Sequence, residues 1–69
     1  MWFYVYCYPD SNWEEIRAEA LARGAKYYYW ASEYGYNAMY NGDTLVFYTD
    51  INALPAAMQV DAKKHGKTL

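Results

Sequence analysis

The chain has 69 residues and a mass of 8.1 kDa, so we expect residues 1–69 to form one small domain. Apolar residues make up 55% of the sequence and aromatic residues 22%, a composition that excludes a disordered chain. The net charge is −2, from 6 Lys and Arg against 8 Asp and Glu, and this balance counts against a protein dedicated to binding phosphate backbones.

The first predicted element is a strand over residues 2–8, Trp-Phe-Tyr-Val-Tyr-Cys-Tyr, which ends before Pro9. Side chains alternate between the two faces of a strand, so this segment has an apolar face and a phenolic face. The apolar face, which we expect to face the core, consists of Phe3, Val5 and Cys7. The opposite face consists of Tyr4, Tyr6 and Tyr8.

A helix is predicted over residues 12–23, where apolar residues recur at helical spacing. Ser11 and Asn12 each have a glutamate three residues later, so either residue can form a capping box at the start of the helix. Gly24 is the candidate C-cap, because glycine adopts the left-handed conformation without steric cost.

The second predicted strand covers residues 26–32. Its polar ends, Lys26 and Ser32, indicate that their face points outward, and this face also carries Tyr28 and Trp30. Tyr27, Tyr29 and Ala31 would then face the core.

The third predicted strand covers residues 44–49, and its almost continuous apolar character favours a central position in the sheet. Leu45 and Phe47 are expected to face the core. Tyr48 is expected on the outward face, between the polar residues Thr44 and Asp50.

Residues 33–43 allow two interpretations. Asn41-Gly42 is a typical hairpin dipeptide that would pair residues 36–40 with residues 44–48, and Gly35 would then mark a bend in a long second strand. Alternatively, Ser32 would cap a short helical turn that ends at Gly42. We favour the bent hairpin.

The last segment, residues 52–66, is predicted to form a second helix with Pro55 in its first turn. Lys63, Lys64 and His65 lie at its negative end, before Gly66. Residues 67–69 are expected to fray.

These elements predict an α+β domain with the order β-α-β-β-α and an antiparallel three-stranded sheet of spatial order 1-3-2. The arrangement would be related to the ferredoxin-like plan, without its fourth strand, and would leave an exposed strand edge. Because two short helices would cover one face only, we expect the other face to stay open.

No catalytic or metal-binding constellation is expected, so the chain is predicted not to be an enzyme and to need no cofactor. His65 fits a solvated residue at a helix end, and Cys7 fits a small buried hydrophobe. A single cysteine excludes an internal disulfide and a cysteine zinc site. The start of the chain does not fit a signal peptide, and the apolar run of residues 2–8 is far shorter than the roughly 20 residues of a membrane span. We therefore expect a cytoplasmic protein that does not bind membranes.

The open aromatic face is the feature that ordinary strand composition explains least. Large exposed apolar patches mark interaction sites, and Tyr and Trp contribute most of the binding energy at protein interfaces. We expect this face to bind a protein partner or a second copy of the chain. Single-stranded nucleic acid stacking on the same rings is the alternative, although only Lys26 supplies positive charge beside them. The candidate binding residues are Tyr4, Tyr6, Tyr8, Tyr28, Trp30 and Tyr48.

The sequence contains no family motif. In composition it is similar to small accessory proteins of phages and mobile elements, among them anti-CRISPR and host-takeover inhibitors. The resemblance implies a single domain without a catalytic set, whose surface inhibits one macromolecular partner in the host cytoplasm.

Overall fold

The computed structural model describes residues 1–6, 12–31 and 44–69. The elements, in chain order, are β1 (Trp2–Tyr6), α1 (Trp13–Ala22), β2 (Tyr27–Trp30), β3 (Thr44–Tyr48), a 3₁₀ turn (Ile51–Ala53), α2 (Ala56–His65) and β4 (Lys67–Thr68). The predicted α+β class is confirmed. The predictions for residues 33–43, together with those for Cys7 and Tyr8, lie outside the described residues.

The sheet is antiparallel throughout and has the order β1-β3-β2-β4. The predicted order of the first three strands is therefore confirmed, and β3 is central, with all five of its residues buried. The prediction that the chain lacks a fourth strand was wrong. Lys67 and Thr68 pair with β2, and the Leu69 amide donates a hydrogen bond to the Lys26 carbonyl at 3.0 Å, so the end of the chain is held rather than frayed.

The two helices cover opposite faces of the sheet, and the prediction that both lie on one face was wrong. The face under α1 combines Trp13, Ile16 and Ala20 with Phe3, Val5, Tyr28, Trp30, Leu45 and Phe47. The face under α2 combines Leu54, Met58 and Ala62 with Tyr29, Ala31, Val46 and Tyr48. Strand β3 supplies alternate residues to both clusters, which is why all five of its residues are buried.

The position of β4 explains why the helices separate. The connection β1-α1-β2 passes across β3, and the connection β3-α2-β4 passes across β2 in the same direction along the sheet. Strands β1 and β3, where the two connections start, run antiparallel. Because crossovers between parallel strands are right-handed, two that advance in one direction from opposed strands must place their helices on opposite faces.

Helix α1 has a defined cap at each end. The Asn12 side chain accepts a hydrogen bond from the Glu15 amide at 3.3 Å, so Asn12 is the N-cap, while Ser11, the other predicted capping residue, lies outside the described residues. At the other end, the Ala25 amide donates to the Ala20 carbonyl at 3.0 Å and the Gly24 amide donates to the Leu21 carbonyl at 2.9 Å. These two bonds form a Schellman motif. The motif requires a positive φ at Gly24, which is 93° and which glycine adopts without steric cost.

The segment before α2 is fixed by side-chain hydrogen bonds to the backbone. The Asp50 carboxylate accepts from the Asn52 amide at 3.0 Å and starts the 3₁₀ turn. Gln59 donates its side-chain amide to the Leu54 carbonyl at 2.8 Å, joining the turn to the helix. These bonds orient α2 so that Met58 and Ala62 are buried against the sheet.

Candidate functional site

The structure divides the predicted aromatic face between the two sides of the sheet. Tyr4 and Tyr6 are exposed on the side of α2, where Tyr48 also lies but is only 4% exposed. Tyr28 and Trp30 are on the opposite side, half-buried against α1. The prediction of one shared face was wrong for these two residues, because Tyr28 is paired with Phe47, whose side chain belongs to the α1 cluster. Tyr8 lies outside the described residues.

Three rings follow one another along β1 on the side of α2. The ring centroids of Trp2 and Tyr4 are 6.3 Å apart, and those of Tyr4 and Tyr6 are 5.4 Å apart in an edge-to-face arrangement. Tyr4 is 41% exposed and Tyr6 is 55% exposed, whereas Trp2 is half-buried against the cluster under α2. We call Trp2, Tyr4 and Tyr6 the aromatic edge, since β1 is the last strand of the described sheet on that side.

The same three residues direct their backbone groups away from the sheet. The Thr49 amide donates to the Met1 carbonyl at 3.1 Å, and the register of β1 with β3 places these two residues opposite each other. In an antiparallel pair, only every second residue exchanges hydrogen bonds with its partner strand. Odd-numbered residues of β1 therefore direct their N–H and C=O groups to β3, while Trp2, Tyr4 and Tyr6 direct theirs to the outer side.

No side chain of β1 carries a charge. On the other side of this strand, Phe3 stacks on Phe47 with ring centroids 5.3 Å apart. The Arg23 guanidinium lies 4.9 Å from the centre of the Phe3 ring, a cation–π contact that covers part of this ring. The aromatic edge therefore presents rings and backbone dipoles on a strand whose own side chains are uncharged.

A groove of about 440 Å³ lies where the end of α2 meets the sheet, beside Tyr27 of β2 and Thr68 of β4. Its wall includes the rings of Tyr27 and Tyr48, which stack with centroids 5.4 Å apart, and the charged residues Asp50 and Lys63. Burial raises the pKa of the Tyr48 phenol above its ordinary value of 10.0, and the neighbouring Tyr27 raises it further. Tyr48 therefore keeps its proton and acts as a neutral wall of the groove.

The raised pKa of Tyr48 predicts a loss of stability in alkali. In the unfolded chain this phenol ionises at its ordinary pKa of 10.0, while the folded protein still holds the proton. The free energy of unfolding should therefore begin to fall near pH 10.0 and continue to fall until the pH passes the pKa of the folded state. Urea titrations of wild type and Tyr48→Phe between about pH 8 and pH 11 would measure this, because the variant should lose less stability over the range. Parallel curves would contradict the assignment.

Of Cys7 and His65, the two residues considered for catalysis, the structure describes only His65. His65 is half-buried in the last turn of α2, and Cys7 lies outside the described residues. Within the ranges that the structure describes, no group of three or more His, Cys, Asp or Glu side chains could hold a metal ion. Neither α1 nor α2 has the length and apolar character that a membrane-spanning helix requires.

Sequence reasoning missed Trp2 as a member of the aromatic edge. The signal was present, because Trp2 shares the alternation of Tyr4 and Tyr6. Arg23, which lies over Phe3, could not be found in this way, because the contact depends on how the end of α1 packs against β1.

The chain matches no protein-family profile, no curated protein and no solved structure.

Proposed function

We propose that this chain is a non-enzymatic protein-binding module whose binding surface is the aromatic edge, and that it inhibits the cytoplasmic macromolecule it binds. The observation that supports the proposal is the exposure of two large rings, Tyr4 and Tyr6, at 41% and 55%, on a terminal strand that carries no charge. Terminal strands usually carry lysine, proline or a bulge that discourages pairing with other chains. The described part of β1 carries none of these, as expected for a strand that serves as a contact surface.

The energetic argument rests on the residue types. A tyrosine ring brings a large contact area and a polar hydroxyl while only two side-chain torsions must be fixed on binding. In the aromatic edge each ring already packs on its neighbour, so part of that ordering cost is met before a partner arrives. The inhibitory role follows from the compositional similarity to phage and mobile-element accessory proteins, in which one surface occludes one partner.

Replacing Tyr6 by alanine should weaken partner binding by about 2 kcal/mol, or about 30-fold, and Tyr4→Ala should have a similar effect. The fold should survive both changes, because these side chains lie outside the two core clusters. The partner would be captured from a lysate of the source organism on the immobilised chain, identified by mass spectrometry, and titrated by calorimetry.

Tyr27→Ala is the matched control. Tyr27 is the same residue type with a similar exposure of 38%, but it lies on β2, beside β4 and away from the aromatic edge. Its removal should leave the affinity within about threefold of wild type. Equal losses for Tyr6→Ala and Tyr27→Ala would contradict the proposed surface.

Single-stranded nucleic acid remains the alternative partner for the same rings. Base stacking on exposed tyrosines is sequence-tolerant, and phosphate contacts would make the affinity fall steeply with salt. Tryptophan fluorescence during titration with a pyrimidine oligonucleotide at low salt separates the two functions. Salt-sensitive quenching that Tyr6→Ala abolishes would favour nucleic acid over protein.

A further inference from the structure

We infer that the groove at the end of α2 binds a small dipolar aromatic molecule of the amino-acid class, with its ring on Tyr27, its ammonium group at Asp50 and its carboxylate at Lys63. The groove shares none of its described lining residues with the aromatic edge. Neither the groove nor its ligand depends on the proposed function, to which this site adds a small-molecule ligand.

The groove has the size and the lining of a small-molecule site. Its volume of about 440 Å³ lies within the roughly 300–1,000 Å³ of ligand pockets. Such pockets combine apolar and aromatic walls with a few polar groups that fix the orientation of the ligand. Here Tyr27, Tyr48 and Ile51 supply the apolar wall, and Asp50 and Lys63 supply the charges. The groove is large enough to hold an aromatic amino acid.

Tyr27 provides the surface on which a ligand ring can stack. The register of β2 with β3 places Tyr27 opposite Tyr48, and the two rings stack with centroids 5.4 Å apart and 30° between their planes. Tyr27 is 38% exposed, whereas Tyr48 is buried. A ring that is already packed against a buried neighbour needs little further ordering to receive a second ring, and aromatic pairs are stabilised beyond the burial of their area.

The Asp50 carboxylate keeps one oxygen for a ligand. The backbone and side-chain amides of Asn52 both donate to Oδ1 of Asp50, at 3.0 Å and 3.2 Å, so Oδ2 carries none of the described hydrogen bonds. The neighbouring Thr49 hydroxyl is hydrogen-bonded to Met1 and does not compete for the ligand. Lys63 is exposed in the last turn of α2, where its three ammonium donors can reach a carboxylate.

The two charges in the wall select the charges of the ligand. A phosphate or a simple carboxylate would be repelled by Asp50, and a simple amine would be repelled by Lys63. A molecule with both an ammonium group and a carboxylate gives each wall residue an opposite partner. The hydroxyl of Thr68, which also lines the groove, can donate a further hydrogen bond to the carboxylate. An aromatic amino acid combines these two charges and a ring in one small molecule.

Three probes with the same ring test which charges the groove recognises. Free phenylalanine carries both charges, phenethylamine lacks the carboxylate, and hydrocinnamate lacks the ammonium group. In heteronuclear NMR titrations, phenylalanine should bind with a dissociation constant of about 1 mM or lower and shift the amide signals of Tyr27, Lys63 and Thr68. The other two probes should each bind about threefold more weakly. Equal affinities for the three probes, or no shifts at these residues with about 20 mM phenylalanine, would overturn the inference.

Charge-removing variants assign each ligand group to its wall residue. Lys63→Gln should bind phenylalanine about threefold more weakly and no longer prefer it to phenethylamine, because that preference depends on the carboxylate. Asp50→Asn keeps an Oδ1 acceptor for Asn52 and should lose the preference for phenylalanine over hydrocinnamate. Lys64→Gln and Asp61→Asn are the matched controls, because neither residue is among those that line the groove, and they should bind phenylalanine as wild type does.

Tyr27→Ala tests the stacking surface and separates the groove from the aromatic edge. This variant should lose the phenylalanine shifts while a protein partner of the aromatic edge still binds. Retained phenylalanine binding in Tyr27→Ala would overturn the stacking position. Equal losses for Lys63→Gln and Lys64→Gln would show a general effect of charge and overturn the assignment of the site.

Discussion

Phe47→Ala is expected to unfold the domain at room temperature. Phe47 is fully buried on central strand β3, stacks on Phe3 and packs near Tyr28, with ring centroids 6.4 Å apart. Truncating a buried phenylalanine costs about 3–5 kcal/mol, which equals the roughly 3–5 kcal/mol that the core of a domain this small can supply. Urea titration followed by circular dichroism would show a largely unfolded variant.

Val60→Ala is the control for this truncation. Val60 lies on α2 and is 54% exposed, so its shortening should change the free energy of unfolding by no more than about 0.5 kcal/mol. Phe47→Leu should fall between the two, because it keeps most of the apolar volume. A Phe47→Ala variant within about 1 kcal/mol of wild type would show that the cluster under α1 does not hold β1 to the sheet.

Gly66→Ala is expected to cost about 3 kcal/mol, at the upper end of overpacking effects. Gly66 has an ordinary φ of −62°, so glycine is needed there for space and not for conformation. A β-carbon would collide with the Tyr48 hydroxyl oxygen and lie 2.5 Å from the Ala62 carbonyl oxygen. Because that carbonyl belongs to the helix backbone, side-chain rotation cannot relieve the contact, and the chain leading to β4 would have to shift.

A double-mutant cycle with Tyr48→Phe separates the two collisions. Removing the hydroxyl eliminates the nearest clashing atom, so Gly66→Ala should cost about 1 kcal/mol less in the Tyr48→Phe background than in wild type. Gly24→Ala is the second comparison, because no atom lies within 4 Å of its β-carbon position and only the φ of 93° opposes the change, at about 1–2 kcal/mol. Equal costs for Gly66→Ala in both backgrounds, measured by urea unfolding, would show that Tyr48 plays no part.

The local elements could be predicted because each depends on residues close in sequence. Asn12 and Gly24 mark the ends of α1, and the apolar run of β3 correctly indicated a central strand, although Tyr48 was expected on an open face and is buried. Strand β4 could not be predicted in the same way. Lys67 and Thr68 have no apolar pattern, and they form a strand because the end of α2 delivers them beside the backbone of β2.

One missed strand of two residues changed the predicted site. In a sheet of three strands, α2 is followed by no strand that would fix the direction of its connection. The prediction therefore placed α2 on the same face as α1. With β4 beside β2, α2 must cover the opposite side, which buries Tyr29 and Tyr48 and leaves Tyr4 and Tyr6 at the margin. The polar residue Lys26 led to the prediction that Tyr28 and Trp30 face outward. Lys26 lies just before β2, so its exposure does not indicate which face of the strand is covered.

The central place of β3 has a consequence for how the chain is made. Neither β1 nor β2 pairs with the other, and both depend on a strand that begins at Thr44. During translation, β1, which has four aromatic rings and no charged side chain, is synthesised well before its pairing partner β3, since more than half of the chain precedes the end of β3. The β1–β3 pairs join residues from 38 positions apart (Tyr6 and Thr44) to 46 positions apart (Trp2 and Tyr48), so pairing of β1 requires a long loop closure. The nascent protein is therefore most exposed to aggregation just before β3 emerges.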